Sequence, residues 1–219
     1  KTREKTFYSP SRIRGQKAAT LSEPIIDKEH NQKGFLIDEY TQMKLPEKIG
    51  WFDQTDPFTL SFSIYADHKD QESIVFGHCE QIRLGLKGYS FFINDNKLKF
   101  IIARSWPQNA IEIETLQPIS AKKWSQVTIT YDGKGSVGGI QIYINGKKTA
   151  VKRKGDELYK SILFKPDIHT YGFEGFKIGS SHKLKAFDGG GFDDLKIYDK
   201  ELTALEVAYQ NDPNFFNQL

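Results

Sequence analysis

The sequence predicts an all-β protein, a two-sheet antiparallel jelly-roll sandwich with a short C-terminal helix. Apolar residues recur at every second position in one run after another, the period of a strand with one face in a core and the other in water. The runs are short and closely spaced, separated by Gly, Asn, Asp and Pro, with no helical segments alternating between them. The composition is rich in aromatics, with 16 Phe, 10 Tyr and 3 Trp in 219 residues, which suits pleated, packed surfaces. A chain of this length buries a core without staples. The single Cys79 has no internal partner and reads as a small buried residue.

Residues 1–33 open with Lys1, Arg3, Lys5, Arg12, Arg14 and Lys17 and read as a basic linker followed by an edge strand near Pro24-Ile25-Ile26. The folded pattern begins at Gly34, where a short strand runs to an acidic turn at Asp38. Met43 and Leu45 lead to a turn at Pro46, and residues 51–57 form a loop. Phe58, Leu60, Phe62 and Ile64 then alternate with Thr59, Ser61, Ser63 and Tyr65, the clearest half-buried strand in the chain. Shorter strands are expected over 73–76 and 81–86. Strands over 89–93 and 97–103 flank Asn94-Asp95-Asn96, residues that tolerate left-handed backbone. In the strand over 110–115, Ile111 and Ile113 take one face and Glu112 and Glu114 the other.

The stretch from Trp124 to Lys148 predicts a three-stranded meander at the centre of a sheet. Val127, Ile129 and Tyr131 alternate with Gln126, Thr128 and Thr130, and Ile140, Ile142 and Ile144 repeat the pattern after a small-residue loop. Asn145-Gly146 supplies a tight hairpin, and a third strand leaves over 148–152. Residues 154–173 lose periodicity and read as an ordered loop. The sheet restarts at 176–179. Gly189-Gly190-Gly191 relaxes the backbone before a strand over 192–198. Thr203 and Glu206 form a capping box, which predicts a helix over about 203–209, closed by Asn211-Asp212-Pro213. No repeat or composition shift divides the chain, so residues 34–210 are expected to form one domain, with 211–219 as a tail.

Several of these segments resemble a known family. Tyr131-Asp132-Gly133, the hairpin Ile142 to Lys147, the strand entry Asp56-Pro57-Phe58-Thr59 and above all Phe187 to Val207 resemble laminin-G-like domains of the concanavalin A-like lectin/glucanase type. Phe192 and Lys196 replace the family's Ile and Arg, and Ile37-Asp38-Glu39 stands where Phe-Asp-Gly is usual. Trp106-Pro107-Gln108-Asn109-Ala110-Ile111, with Gln108 in place of Gly, is similar to the jelly roll embedded in planctomycete cytochrome-associated multidomain proteins. The resemblance implies a module of a larger exported protein, periplasmic, cell-surface or extracellular, flanked by other domains.

Function classes are narrowed by charge and motif. Lys+Arg 31 against Asp+Glu 28, mixed along the chain, gives no nucleic-acid footprint. No apolar run reaches the length of a membrane helix, and the opening KTREKTFYSP lacks the apolar stretch of a signal peptide, so the chain reads as a piece of a longer protein. The superfamily's glycosidase motif Glu-x-Asp-x-x-Glu is missing, and Glu112 and Glu114 read as a solvated face, which points away from an enzyme.

Many domains of this superfamily carry a structural Ca²⁺, an ion that takes six to eight oxygens. Strand parity with Leu195 and Ile197 places Asp193 inward, and it is the first candidate ligand, with Asp38 as partner; acceptance of backbone N–H bonds in the glycine turn is the other reading of Asp193. Carbohydrate is the leading partner. A sugar site needs an aromatic face beside planar hydrogen-bonding groups, and Arg104, Trp106, Gln108 and Asn109 offer that mixture in one loop, with Tyr89 and Arg83 on neighbouring strands. The competing reading makes Trp106 a plug on the sandwich rim and assigns Trp124 to the core. A module that docks against its own parent protein or another chain is the alternative function.

Overall fold

The computed structural model describes residues 7–8, 20–21, 25–27, 32–37, 42–45, 48–66, 72–80, 85–155, 158–164, 176–179, 187 and 190–215. The strands are β1 (Phe7–Tyr8), β2 (Thr20–Leu21), β3 (Ile25–Asp27), β4 (Gln32–Ile37), β5 (Gln42–Lys44), β6 (Phe58–Tyr65), β7 (Ser73–Cys79) and β8 (Gly88–Asn94). They continue as β9 (Lys97–Ser105), β10 (Asn109–Thr115), β11 (Trp124–Tyr131), β12 (Ile140–Ile144), β13 (Lys147–Lys148), β14 (Val151–Lys154), β15 (Lys177–Gly179) and β16 (Gly190–Tyr198), followed by the helix α1 (Ala204–Asn211). β1 and β2 pair with each other alone. The rest form two antiparallel seven-stranded sheets. The front sheet has the order β13-β12-β11-β6-β16-β4-β3 and the back sheet the order β14-β10-β9-β8-β7-β15-β5. This is the two-sheet sandwich that the alternating pattern predicts, with one short C-terminal helix.

The core lies between the sheets and follows from period-2 alternation. Phe58, Leu60, Phe62 and Ile64 of β6 and Val127, Ile129 and Tyr131 of β11 are fully buried. Across the gap they meet the back sheet: Phe62 lies 5.1 Å from Phe76 and 5.0 Å from Phe91 by ring centroids. Phe192 of β16 stacks on Phe62 at 5.3 Å within the front sheet. Ile111 and Ile113 are buried while Glu112 and Glu114 are half-buried on the other face, as the spacing predicts. At the Asn94–Asn96 turn Asp95 and Asn96 both take positive φ, 49° and 59°.

Four details differ from the sequence reading. The middle strand of the front sheet is β6, and the meander occupies one side of it. β6 earns that place because its outward Thr59 and Ser61 are buried as well as its apolar face. The meander's third strand is only two residues long. The chain then crosses through Thr149 and Ala150 to the back sheet, where β14 pairs with β10. No strand forms at 85–86, because Gly85 and Leu86 turn at φ 84° and 51°; residues 81–84 lie outside the described set. Finally, the helix begins one residue after Thr203, which serves as its N-cap with both halves of the capping box present.

Candidate functional site

The loop around Trp106 is built as a plug. The Trp106 amide donates to the Gly85 carbonyl at 2.7 Å, and its indole Nε1 donates to Glu112 Oε2 at 3.0 Å. Lys154 Nζ stands 5.6 Å from the centre of the ring. The side chain packs on a second apolar cluster, on the outer side of the back sheet, that includes Ile74, Phe92, Ile101 and Ala103. The ring is half-exposed, packed on this cluster, with an ammonium nearby and its one donor engaged. Asn109 is buried and its Oδ1 accepts from the Lys160 amide at 3.3 Å, tying the 158–164 segment to β10. Arg104 is half-buried, and Gln108, four residues further on, is exposed. Burial, then the nearby Arg104 charge, lowers the pKa of Lys87.

Tyr89 is displaced from the predicted surface altogether. It is buried, within 5.4 Å of Phe58 by ring centroids, and its hydroxyl donates to the Gly50 carbonyl at 2.7 Å. Strand alternation places its ring between the sheets, and the gap beside it holds only about 10 Å³. Its cross-strand partner is His78, whose Nδ1 lies 2.9 Å from the same carbonyl. A carbonyl only accepts, so Nδ1 carries the proton of a neutral imidazole. Burial drives the His78 pKa down to about 4, partly opposed by the Gly50 bond. Arg83 lies outside the described residues.

The calcium expectation rested on strand parity, and β16 breaks that parity. Asp193 pairs with Ser63 and Lys196 pairs with Ser61, so two residues of β16 oppose Phe62 alone. Asp194 takes φ 50° at this bulge, which re-aims the strand. Phe192 therefore faces the core and Asp193 shares the outward face with Ser63. Burial raises the Asp193 pKa, with the Asp194 backbone N–H bond acting against it. Asp194 is ion-paired with Lys196 at 2.7 Å. Among the described residues no three His, Cys, Asp or Glu side chains come together to hold a metal ion, so these residues alone do not complete a calcium cage. Asp38 lies outside them.

An open surface of a different kind lies on the outer face of the front sheet. Trp124 pairs with Tyr65, and Tyr65 with Gly191. The indole lies over the backbones of Gly191 and Gly34. A methyl group on Gly191 would sit 2.8 Å from the ring, and one on Gly34 closer still. Trp124 thus rests across β6, β16 and β4, half-exposed, with Tyr65 tilted against it at 5.7 Å. Gln126 and Ser63, also half-exposed, lie opposite each other in the next row. Helix α1 covers the far end of this face, where Leu202 and Val207 pack on Tyr143 and Tyr198. Trp124 Nε1 and Gln126 Oε1 have no hydrogen-bond partner and no exposure of their own; each such atom costs about 1–3 kcal/mol. The assignment of Trp124 to the core overlooked its parity: it stands in step with Gln126, Thr128 and Thr130 and out of step with Val127 and Ile129. Glycines at 34 and 191 were the second signal.

Between the sheets, Met43, Leu45, Ile49, Ile178, Leu195 and Ile197 line most of a cleft of about 410 Å³, which Asp193 and Asp194 also touch.

Comparisons with known proteins place this architecture. A family model for the concanavalin A-like lectin/glucanases superfamily, Laminin_G_3, matches residues 38–208. No curated protein matches the sequence significantly. Among solved structures, the botulinum neurotoxin serotype G binding domain is 18% identical with a TM-score of 0.55, covering 89% of this chain and 46% of that one. The binding domain of botulinum neurotoxin DC in complex with SialylT is 16% identical, TM-score 0.59, covering 90% and 47%. A botulinum neurotoxin type C structure, described by cell entry dependent upon interaction with two ganglioside molecules, is 16% identical, TM-score 0.58, covering 90% and 46%. The chain spans about half the length of these solved structures, and at such identities the likeness is one of fold.

Proposed function

Because the chain belongs to the concanavalin A-like lectin/glucanases superfamily, as a Laminin_G_3 domain, we propose that it is a non-catalytic carbohydrate-binding module of a larger exported protein. One observation carries the reading: a half-exposed tryptophan packed against two glycines, with a tyrosine beside it, on a sheet face that α1 leaves open. A sugar presents a C–H face to such a ring and hydroxyls to the polar groups around it. The ligands of two structural neighbours, SialylT and ganglioside, support the same class of partner.

The test is a glycan-array and polysaccharide pull-down screen on the wild-type chain, Trp124→Ala and Trp106→Ala, each checked by its melting curve and run with calcium and with chelator. Binding lost in a folded Trp124→Ala and kept in Trp106→Ala is the expected result. Binding kept in Trp124→Ala overturns this placement. A well-folded wild type that captures no glycan overturns the function.

Docking within the parent protein is the second reading. The apolar cleft favours it, as do Leu205 and Tyr209, exposed one turn apart on α1. Capture of flanking parent segments, abolished by Leu205→Lys with Tyr209→Lys, would establish it.

A further inference from the structure

The polarity of the open face narrows the class of sugar. Register lays out three rows: Trp124, Tyr65 and Gly191; Gln126, Ser63 and Asp193; Thr128, Ser61 and Lys196. Gln126 Nε2 donates to Ser61 Oγ at 3.0 Å, and Thr128 Oγ1 donates to the same oxygen at 3.2 Å. The amide nitrogen is thereby committed, and Gln126 Oε1 is left as an acceptor with no donor. Trp124 Nε1 is a donor with no acceptor. Asp193 adds a carboxylate to the row of Gln126. The third row runs on through Tyr143 to the exposed Lys148, and the cation next to Asp193, Lys196, is ion-paired with Asp194 at 2.7 Å. Among the described residues, the part of the face around Trp124 and Asp193 therefore offers an aromatic ring, one donor, two kinds of acceptor, and two carboxylates, Asp193 and Asp194, against one ammonium, Lys196.

Resting on the carbohydrate reading, we propose that this face binds a neutral, hydroxyl-rich oligosaccharide chain and rejects sialylated, uronic or sulfated ones. A hydroxyl both donates and accepts. It can donate to Gln126 Oε1 or to the Asp193 carboxylate, and it can accept from Trp124 Nε1. Gln126 Oε1 and Trp124 Nε1 are both shielded in this structure, so binding requires Trp124 and Gln126 to turn. A carboxylate or sulfate in place of a hydroxyl can only accept, so at that position it leaves Gln126 Oε1 unmet, and it meets a cluster of net negative charge, Asp193 and Asp194 against Lys196. That repulsion is the element that discriminates between sugar classes.

The chain has three tryptophans, Trp51, Trp106 and Trp124, and so three indole N–H signals in a ¹⁵N-correlated spectrum, assigned with Trp124→Phe and Trp106→Phe. The intact chain is titrated with cello-, xylo-, manno-, laminari- and chitohexaose, and separately with 3′-sialyllactose, oligogalacturonate and a heparin hexasaccharide. The expected result is that at least one neutral hexaose moves the Trp124 indole signal. Asp193→Asn and Gln126→Leu weaken that binding by at least about fivefold, and the three anionic glycans leave the signal in place. The spectrum of the wild type reads the contact even where a variant fails to fold. Tighter binding of an anionic glycan, or neutral binding that ignores Asp193 and Gln126, overturns this inference and leaves the carbohydrate function standing. Neutral binding that moves Trp106 alone does the same. No binding by any glycan removes both.

Discussion

At the residue scale the buried polar groups carry sharper consequences than the apolar ones. His78 is held neutral between Trp51, Phe164 and Tyr89, with ring centroids at 5.1, 5.5 and 5.7 Å. Its pKa is about 4 in the folded chain against an ordinary 6.5. The unfolded chain therefore binds one more proton than the folded chain between these values, so stability is full above pH 6.5 and falls as pH drops towards 4. The loss amounts to about 3 kcal/mol in all, and about 1.4 kcal/mol per pH unit where it is steepest. Urea midpoints of the wild type and His78→Gln, compared between pH 7.5 and 4, measure this. The wild type is expected to weaken more steeply over that window; parallel slopes would remove His78 as the cause. Neither the pairing of His78 with Tyr89 nor their inward orientation was legible: the strand read there ends at 76, short of His78, and a bulge in β7 between Ile74 and Phe76 shifts the register on which the parity of that strand depends.

At the element scale the seat of Trp124 is shared by three strands. The ring starts on β11, passes Tyr65 on β6 and covers Gly191 on β16 and Gly34 on β4. Gly190 and Gly191 lie within β16 rather than in a loosened turn before it. Their lack of a side chain makes room for rings: Phe187 on Gly190 and Trp124 on Gly191. Gly191→Ala forces a methyl group against the indole, and overpacking of this sort costs about 1–3 kcal/mol. The expected outcome is a lowered melting temperature together with a changed Trp124 fluorescence, both milder in Gly191→Ala than in Gly34→Ala, whose methyl group meets the ring more closely. Unchanged fluorescence in both variants would show that the ring does not rest there. The strand pattern announced where these elements lie, since alternation is a local property. The assembly of the face was hidden because it depends on which strands neighbour each other, and β16 joins β6 and β4 from more than a hundred residues away.

At the scale of the whole molecule, the two sheets are fastened by a cluster of phenylalanines at the middle of the sandwich. Phe62 lies on the central strand β6, stacks on Phe192 of its own sheet and meets Phe76 and Phe91 of the other, all within 5.3 Å by ring centroids. It is fully buried. Phe76 in turn stacks on Phe176 at 5.0 Å, next to the start of β15. Such a network joins segments far apart in sequence, so neither sheet keeps its buried face if the other detaches. One cooperative transition is therefore expected, with far-ultraviolet and tryptophan signals changing together. Phe62→Ala removes the shared member of the cluster and leaves a cavity that the surrounding strands only partly close, at a cost of about 3–5 kcal/mol. The open face stands on the opposite side of β6, so a folded Phe62→Ala chain is expected to keep its glycan affinity while losing midpoint in urea. A Phe62→Ala variant that unfolds in two steps, one sheet before the other, would show that the sandwich is two separable layers and that the aromatic cluster does not couple them.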